Sequence, residues 1–497
     1  MKNKITLNNI LSGLILQIIT IISGFIIPKI ILTHFGSSVN GLVSSINQFL
    51  GYITLVEGGV TGVIAANMYG PLANKDYTRL SSIAVTAKRF FNKVGIIFIG
   101  YAIILALIYP MFSNTSFDYS YVLTLVLVLS ISLSVQYMFS LTLKTLLIAD
   151  KRAYIVNYTQ ILICVSNLVL VCISVLIYPS IHILKMITGG LYVLQPFVFG
   201  HYVKNHYDIN WNSQSDNDLI RERWNGFAIN IAAFIHNCTD VTLLTLFSTL
   251  EMVSIYSVYS LVTNGLKQLV NAVTSGINST LGQAYAIGNE KELNEKIDLY
   301  EYIIFMLIGF SFTMAGLLIT PFVMIYTNGI TDANYYQPLF GVMIVISEAI
   351  YLIKYPHLNL AYSANKFKEI TTPSYTEAFI NIVISLLLIK PYGLIGVSIG
   401  TVVAMIYRLA FQVYFTSKLV EGRKQWIFYR KFIVFSVTTV LGIIICNVFL
   451  PLKALNITLW MVRAIEYAIV LITMYGMMSL LAFRNEVNFI VHYLKKK

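Results

Sequence analysis

Polar side chains at helical spacing interrupt one of the apolar stretches of the chain. The segment TNGLKQLVNAVTSGIN places Thr263, Lys267, Asn271, Thr274 and Asn278 three or four positions apart. That spacing puts them on one face of an α-helix. A charge such as Lys267 costs at least about 2.5–3.5 kcal/mol near the middle of a membrane. The pattern therefore predicts either a water-filled cavity or an internal carboxylate partner, and we expect the cavity.

Four further basic residues are candidates for binding an anion. Lys354 lies inside the apolar stretch SEAIYLIKYPH. Arg408 and Lys144 lie nearer the ends of their apolar stretches, where their side chains could also extend to the membrane surface. Arg89 could recruit an anionic headgroup at the surface, or it could serve only to set the topology of the chain.

Acidic residues within apolar stretches are candidates for ion coupling, in which a carboxylate binds and releases a proton or another cation. Asp240 follows His236 by four residues, which places the two on one helical face where they could share a proton. Glu57, Glu348 and Glu377 are further candidates, and the alternatives are neutral, protonated carboxyl groups or internal ion pairs with the lysines. The sequence does not choose between a proton, sodium or the membrane potential. It predicts no metal site and no bound cofactor.

The composition is that of a membrane protein. Of 497 residues, 57% are hydrophobic and only 11% are charged, which indicates an all-α polytopic chain. A net charge of +12 would suggest nucleic acid binding in a soluble domain, but here the basic residues flank apolar segments. We expect no nucleic acid partner. The four cysteines lie inside apolar segments, as buried hydrophobic residues would.

About fourteen segments are long and apolar enough to span a bilayer, which takes about 20 residues each. The predicted helices cover residues 10–32, 42–66, 90–112, 120–148, 155–178, 181–203, 224–247, 254–284, 298–326, 336–360, 374–390, 393–416, 428–450 and 458–482. Alternate loops carry most of the Lys and Arg residues. By the positive-inside rule, this asymmetry predicts that both termini are cytoplasmic.

Short matches between the two halves of the chain indicate an internal duplication. Ala149-Asp150-Lys151 recurs as Ala364-Asn365-Lys366, and the offsets of such matches cluster around 213–217 residues. The predicted organisation is two pseudo-symmetric six-helix lobes plus two extra C-terminal helices. The N-lobe spans 1–203, a cytoplasmic linker 204–223 and the C-lobe 224–418, and residues 419–497 hold two additional helices and a basic tail. Two such lobes would enclose a central cleft.

A segment of the second half resembles a known family. Residues 364–401 contain Asn381, an aliphatic run, Pro391-Tyr392-Gly393, then Gly396 and Thr401. Near the start, Pro28-Lys29, Phe35-Gly36 and Gly41 follow the same family pattern. These stretches resemble polysaccharide flippases of the Wzx type, in the superfamily that also holds lipid II flippases and MATE (multidrug and toxic compound extrusion) drug exporters. The resemblance implies a MATE-like fold.

The resemblance also implies a substrate. Members of the family move undecaprenyl diphosphate-linked oligosaccharides to the outer leaflet of the bacterial plasma membrane. In that setting Lys267, Lys354, Arg408, Lys144 and Arg89 would contact the diphosphate, because it needs cationic donors in a low-dielectric slab. Asn271, Asn47 and Gln17 would hydrogen-bond the sugars. The implied partners are membrane lipid and the glycosyltransferases and polymerase of the same pathway, and we expect a monomer.

Two other functions stay open. A MATE-type exporter of organic cations should line its cavity with acids, whereas Lys267 and Lys354 favour an anion. A membrane-embedded glycosyltransferase or polymerase would normally need a large external loop, and none is predicted. The sequence contains no Walker A loop, HExxH motif or GxSxG elbow, so we expect a secondary carrier and not an enzyme.

Overall fold

The computed structural model describes residues 2–57, 59–112, 117–216, 234, 238–452 and 456–495. These ranges are helical and contain no strand, which confirms the predicted all-α class. The helices are α1 (Lys2–Leu50), α2 (Ile53–Glu57), α3 (Val60–Asn74), α4 (Tyr77–Phe112), α5 (Tyr119–Val135), a π-helical turn (Gln136–Ser140), α6 (Leu141–Ala149), α7 (Ala153–Ile177), α8 (Ile181–Leu191), α9 (Leu194–His206), α10 (Cys238–Phe247), α11 (Leu250–Ile287), α12 (Glu290–Tyr326), α13 (Pro338–Ile353), α14 (Tyr355–Ser363), α15 (Phe367–Leu419), α16 (Gln425–Phe449), α17 (Ile457–Ala482) and α18 (Arg484–Lys495).

Within the described ranges, ten helices are long and apolar enough to cross a membrane. Two of them, Lys4–Glu57 and Phe367–Leu419, each cover two predicted spans and contain a glycine outside the helical region, Gly36 (φ 82°) and Gly393 (φ 53°). The predicted span 254–284 lies in α11, and 224–247 is described only in its last part, α10. The helices are compatible with fourteen crossings, and the chain is a multi-pass membrane protein.

The chain forms two compact units, Met1–Ser254 and Ile255–Lys497. The boundary lies within α11. In unit 1, α1 packs along α7 and α4 along α5. A buried cluster that includes Leu42, Phe98, Leu125 and Val171 joins α1, α4, α5 and α7. Other apolar side chains of these helices point outward, as expected where helices face lipid.

The described end of the seventh predicted span packs against α1 within unit 1. Thr245 of α10 and Ser45 of α1 are hydrogen-bonded at 2.7 Å, and both are buried. A Cβ atom on Gly41 would lie 1.8 Å from the carbonyl oxygen of Leu250. Only glycine therefore permits this close approach, which explains one residue of the family pattern.

Backbone geometry supports the internal duplication. Lys151 and Asn365, 214 residues apart, both have positive φ angles (60° and 56°) at a helix end. Both ends also show the hydrogen-bond pattern of a Schellman motif. Lys75 and Gly288, 213 residues apart, repeat the left-handed conformation at another helix end. The backbone geometry thus pairs Lys151 with Asn365. The sequence match instead pairs Lys151 with Lys366, which is one residue later.

A helical hairpin in α15 contains the Pro-Tyr-Gly turn predicted from the sequence. Gly393 has a backbone conformation outside the helical region, and the chain on either side packs against itself. Thr401 Oγ1 lies 3.4 Å from Asn381 Oδ1 across the hairpin. A Cβ atom on Gly396 would lie 2.2 Å from the carbonyl oxygen of Leu388. The family pattern in this segment therefore specifies close packing between two helices.

In unit 2, α12 is the helix against which the last helices pack. It contacts α13, α16 and α17. Thr313 of α12 is hydrogen-bonded to Tyr475 of α17 at 3.1 Å, and Trp460 donates its indole N–H to the carbonyl of Leu318 at 3.2 Å. The two extra helices predicted at the C-terminus are thus integral to unit 2.

Gly396→Ala should lower the stability of the protein. The added Cβ would displace the backbone at Leu388, and overpacking of this kind costs about 1–3 kcal/mol. The readout is the thermal unfolding midpoint of the purified protein in detergent. Gly100→Ala is the matched control, because no atom lies within 4 Å of the added Cβ there. Equal midpoints for the two variants would contradict the close packing of the hairpin.

Candidate functional site

Five charged side chains meet within unit 2, and we call them the α11–α15 charge cluster. They are Lys267 on α11, Glu348 on α13, Lys354 between α13 and α14, and Glu377 and Arg408 on α15. Lys267, Lys354 and Arg408 are the first three basic residues that the sequence singles out, and the two acids are ion-coupling candidates. The fold therefore brings together residues that lie up to 141 positions apart in the chain.

Lys267 forms an ion pair with Glu348. Its Nζ lies 2.9 Å and 2.8 Å from the two carboxylate oxygens. Both side chains are 14% exposed, so the pair is largely but not wholly shielded. The structure shows the carboxylate partner for Lys267, whereas the sequence analysis favoured the water-filled cavity.

Glu377 lies between two cations. Its carboxylate oxygens lie 3.6 Å from Lys354 Nζ and 3.3 Å from Arg408 Nε. All three side chains are at most 7% exposed. Arg408 also donates to the carbonyl oxygen of Ile370 at 3.1 Å. This part of the cluster holds two positive charges against one negative charge in a nearly dry environment.

Tyr351 connects the two parts of the cluster. Its ring centroid lies 5.1 Å from Lys267 Nζ and 4.2 Å from Lys354 Nζ, so both ammonium groups form cation–π contacts with it. Counted together, the cluster has three cations and two carboxylates, a net charge of +1. Sequence analysis did not select Tyr351, because one aromatic residue among 33 tyrosines carries no distinguishing signal.

A break between two helices places Lys354 in the cluster. Pro356 has no backbone N–H and sits in the first turn of α14. The predicted span 336–360 is therefore divided at Lys354 into α13 and α14. The break lets a lysine in the middle of an apolar span point at Glu377 and Tyr351.

Glu57 occupies a comparable position in unit 1. It ends α2, and Gly59 begins the next helix with a φ angle of 77°. The Tyr137 hydroxyl donates to Glu57 Oε2 at 3.1 Å, and Thr61 is also hydrogen-bonded to this carboxylate. Tyr137 lies on the π-helical turn Gln136–Ser140, and such turns are frequent at functional sites. The carboxylate is thus held by two hydroxyl groups.

The other predicted site residues of unit 1 are not members of the charge cluster, which belongs to unit 2. Arg89 is exposed and donates to Ser215 Oγ at 2.7 Å. Asp240 is buried on α10, and His236 lies outside the described residues. Lys144 and Gln17 are half-buried, and Asn47 is exposed. In unit 2, Asn271 is exposed on α11, one turn after Lys267.

A second buried network in unit 2, the Glu301 cluster, consists of Asp298, Glu301, His357, Arg423 and Lys431. Glu301 is fully buried and lies 2.5 Å from Arg423 Nη2 and 2.9 Å from Lys431 Nζ. Asp298 lies 3.1 Å and 2.9 Å from the same two nitrogens. His357 Nε2 lies 3.5 Å from Glu301. The network fastens α12 to α14, α16 and the loop before α16.

Arg423 and Lys431 are two of the cluster residues that the sequence analysis did not select. No spacing rule could connect them to Glu301, which lies more than 120 residues earlier. Burial alone would lower the pKa of Arg423, but the neighbouring carboxylates of Glu301 and Asp298 outweigh burial and raise it. The guanidinium therefore stays charged and paired.

Comparison with solved structures identifies the fold. The lipid II flippase MurJ in an inward closed conformation aligns with 96% of this chain and 99% of its own, with a TM-score of 0.72 and 11% identity. An inward-facing MATE family transporter of the MOP superfamily aligns with 82% of this chain and 96% of its own (TM-score 0.64, 15% identity). The MATE multidrug transporter DinF-BH aligns with 84% of this chain and 96% of its own (TM-score 0.60, 14% identity).

No protein-family model matches the sequence, and no curated protein matches it. At these identities the similarity concerns the fold alone. The predicted MATE-like fold is confirmed.

Removing one partner of the Lys267–Glu348 pair should cost more stability than removing both charges. Lys267→Met leaves the Glu348 carboxylate largely buried without its cation, at a cost of about 1–3 kcal/mol. The double variant Lys267→Met with Glu348→Gln should recover most of that loss. Thermal unfolding in detergent of the wild type, of Lys267→Met alone, of Glu348→Gln alone and of the double variant measures the coupling. Strictly additive losses would show that the two side chains do not stabilise each other.

Glu301→Gln should destabilise unit 2 strongly. It removes one of two carboxylates that neutralise Arg423 and Lys431, and breaking a buried charge network costs about 3–5 kcal/mol. Glu295→Gln, an exposed position on the same helix, is the matched control and should be nearly neutral. Unfolding midpoints and protein yield report the difference, and similar midpoints for both variants would exclude the network as a major stabilising contact.

Proposed function

We propose that the protein is a secondary-type flippase for a polyprenyl diphosphate-linked oligosaccharide, most simply an undecaprenyl diphosphate. It would move this lipid from the cytoplasmic to the outer leaflet of the bacterial plasma membrane by alternating access. The observation that carries the proposal is the α11–α15 charge cluster, in which three cations face two carboxylates. The fold shared with a lipid II flippase supports it.

The cluster has the chemistry that a diphosphate requires. A phosphorylated headgroup inside apolar spans needs cationic donors, and bonds to such groups are about twice as strong as neutral ones. Lys267 is 14% exposed and is held by a single carboxylate, so it would be the first cation to engage the substrate. Arg408 and Lys354 would supply the charge that Glu377 does not neutralise. Asn271, exposed one turn from Lys267, would hydrogen-bond the sugar.

The carboxylates of the charge cluster would compete with the substrate phosphate for the same cations. This competition would be a way to couple transport to an ion. Protonation of Glu348 would free Lys267 for a phosphate, and release of the proton would return the lysine to its partner. Glu377, Glu57 and the pair of Asp240 and His236 are further candidates for this role. A proton, sodium or the membrane potential could drive the cycle, and no bound cofactor is needed.

A MATE-type exporter of organic cations is the second candidate. The acceptor site at Glu57 and the MATE structures with TM-scores of 0.64 and 0.60 favour it. An exporter of cations needs carboxylates that are free to bind its substrate. In unit 2, Glu348 and Glu377 already face lysine or arginine, and this favours the flippase.

The proposal carries expectations about the cellular setting. Both termini would be cytoplasmic, the protein would act as a monomer, and it would not be an enzyme. Its substrate would come from glycosyltransferases at the inner leaflet, and a polysaccharide polymerase would use the product outside. Arg89, Lys144, Asn47 and Gln17 of unit 1 would contact the same substrate.

Loss of the Lys267 charge should abolish transport. In a strain that lacks the native gene, Lys267→Ala and Lys267→Glu should eliminate surface glycan, while the lipid-linked intermediate accumulates. The double variant Lys267→Met with Glu348→Gln should fold and still fail. Surface glycan is measured by immunoblot, and the intermediate by mass spectrometry of extracted lipids.

Lys296→Ala is the matched control, because it removes a half-exposed ion pair on α12 and should leave transport intact. Normal glycan in the folded Lys267→Ala strain would remove this lysine from the mechanism. Resistance to organic cations that depends on Glu57, with no change in glycan, would select the exporter instead.

A further inference from the structure

Unit 1 contains a cavity of about 600 Å³ that the transport proposal does not use. It lies where α4, the π-helical turn, α6, α9 and the segment 207–211 meet. Lys88 and Lys204 contribute to its lining, together with Trp211 and Asp208. Its volume falls in the range of small-molecule sites, about 300–1,000 Å³.

Basic side chains at this cavity are available to a ligand. Lys88 and Lys204 are exposed, and neither forms an ion pair with a residue that the structure describes. Lys88 Nζ lies 5.0 Å from the centroid of the Trp211 ring. With Asp208 included, the lining has a net charge of +1. An anion is therefore the ligand that the charges favour.

The lining of the cavity also contains apolar side chains. Met138 and Phe139 of the π-helical turn line it, and Phe139 is 58% exposed. Leu143 lies opposite Gly200, where an added Cβ would be 3.9 Å from Leu143 Cδ1. A free inorganic ion would gain nothing from these surfaces, whereas a molecule with a charged head and an apolar part would contact both.

The polar wall of the cavity is held in place by hydrogen bonds. The Tyr207 hydroxyl donates to Asp150 at 2.5 Å. The Asn210 backbone N–H donates to Ser81 Oγ of α4 at 2.9 Å, and Ser82 Oγ donates to the carbonyl of Gln214 at 2.9 Å. The segment that carries Trp211 is thus fixed on α4, so the cavity is preformed.

The position of the cavity matches a membrane interface. It lies at the C-terminal end of α9, where an apolar span gives way to the polar segment after His206. Tyr207 and Trp211 are of the residue types enriched at headgroup level. The sequence predicts this end to be cytoplasmic, which is the leaflet whose anionic lipids attract basic residues.

We propose that this cavity binds the phosphate headgroup of an anionic phospholipid. Lys88 and Lys204 hold the phosphate, the Trp211 ring covers the glycerol, and the first part of an acyl chain packs on Met138, Phe139 and Leu143. Basic pockets between membrane helices on the cytoplasmic side recognise lipid headgroups by this chemistry. The site is separate from the α11–α15 charge cluster, and it does not depend on the proposed function.

The test uses the purified full-length protein in nanodiscs, with fluorescence of Trp211 as the probe. The Trp211→Phe variant gives the background from the other three tryptophans. Brominated phosphatidylglycerol should quench the Trp211 signal at mole fractions where brominated phosphatidylcholine does not. A lysine near an anionic surface contributes about a five-fold gain, so the double variant Lys88→Gln with Lys204→Gln should bind roughly 25-fold more weakly.

Three further variants make the result specific. Lys4→Gln with Lys75→Gln removes the same charge from exposed positions of unit 1 outside the cavity and should bind normally. Asp208→Asn should strengthen binding. Gly200→Leu fills the space beside Leu143 and should weaken binding without a change in charge, which keeps the test valid if the double lysine variant does not fold.

Equal quenching by the two brominated lipids would overturn the proposal, as would unchanged binding in both the folded lysine variant and Gly200→Leu. Glycerol phosphate that competes as well as phosphatidylglycerol would show a plain anion site with no lipid preference. Farnesyl phosphate that binds ten-fold more tightly than phosphatidylglycerol would reassign the cavity to a polyprenyl substrate. Either of the last two results would refute a phospholipid site.

Discussion

A charged side chain that is buried away from water needs an opposite charge beside it, and this requirement determines which helices of unit 2 pack together. The cost of an isolated charge in a low-dielectric interior is several kcal/mol, so Lys267, Lys354 and Arg408 each lie beside a carboxylate. The Glu301 cluster obeys the same rule with two acids and two cations. The two networks differ in net charge. The Glu301 cluster is neutral when His357 is neutral, whereas the α11–α15 charge cluster has a net charge of +1.

Breaks in helices place these groups. Pro356 divides a span at Lys354, and Gly59 begins a helix directly after the position of Glu57. Tyr137, which donates to Glu57, lies on a π-helical turn. Irregular backbone within a membrane span is tolerated only where protein or water satisfies its polar groups. Breaks at charged residues therefore mark positions where a site can be built, in unit 1 as well as in unit 2.

The residues that carry the family resemblance have structural roles. Gly36 and Gly393 adopt positive φ angles, Gly41 permits contact with the Leu250 backbone, and Gly396 permits contact with Leu388. Asn381 and Thr401 approach each other across the hairpin of α15. These residues specify how helices meet, and this is why short patterns predicted the fold correctly without predicting a ligand. The charged residues of the α11–α15 charge cluster belong to no such pattern.

The sequence alone determined the all-α class, most of the apolar spans that the structure describes and the MATE-like fold, because apolar length and turn residues are local properties. It also selected Lys267, Lys354, Arg408, Glu348 and Glu377, since a charge within an apolar span is visible in one dimension. Only the tertiary structure decided that these five form one cluster, that Tyr351 joins its two parts, and that Glu301 binds Arg423 and Lys431. Pairing depends on which helices become neighbours. Partners on different helices leave no periodic signal of their contact, whether they are 23 positions apart, as Lys354 and Glu377 are, or 130, as Glu301 and Lys431 are.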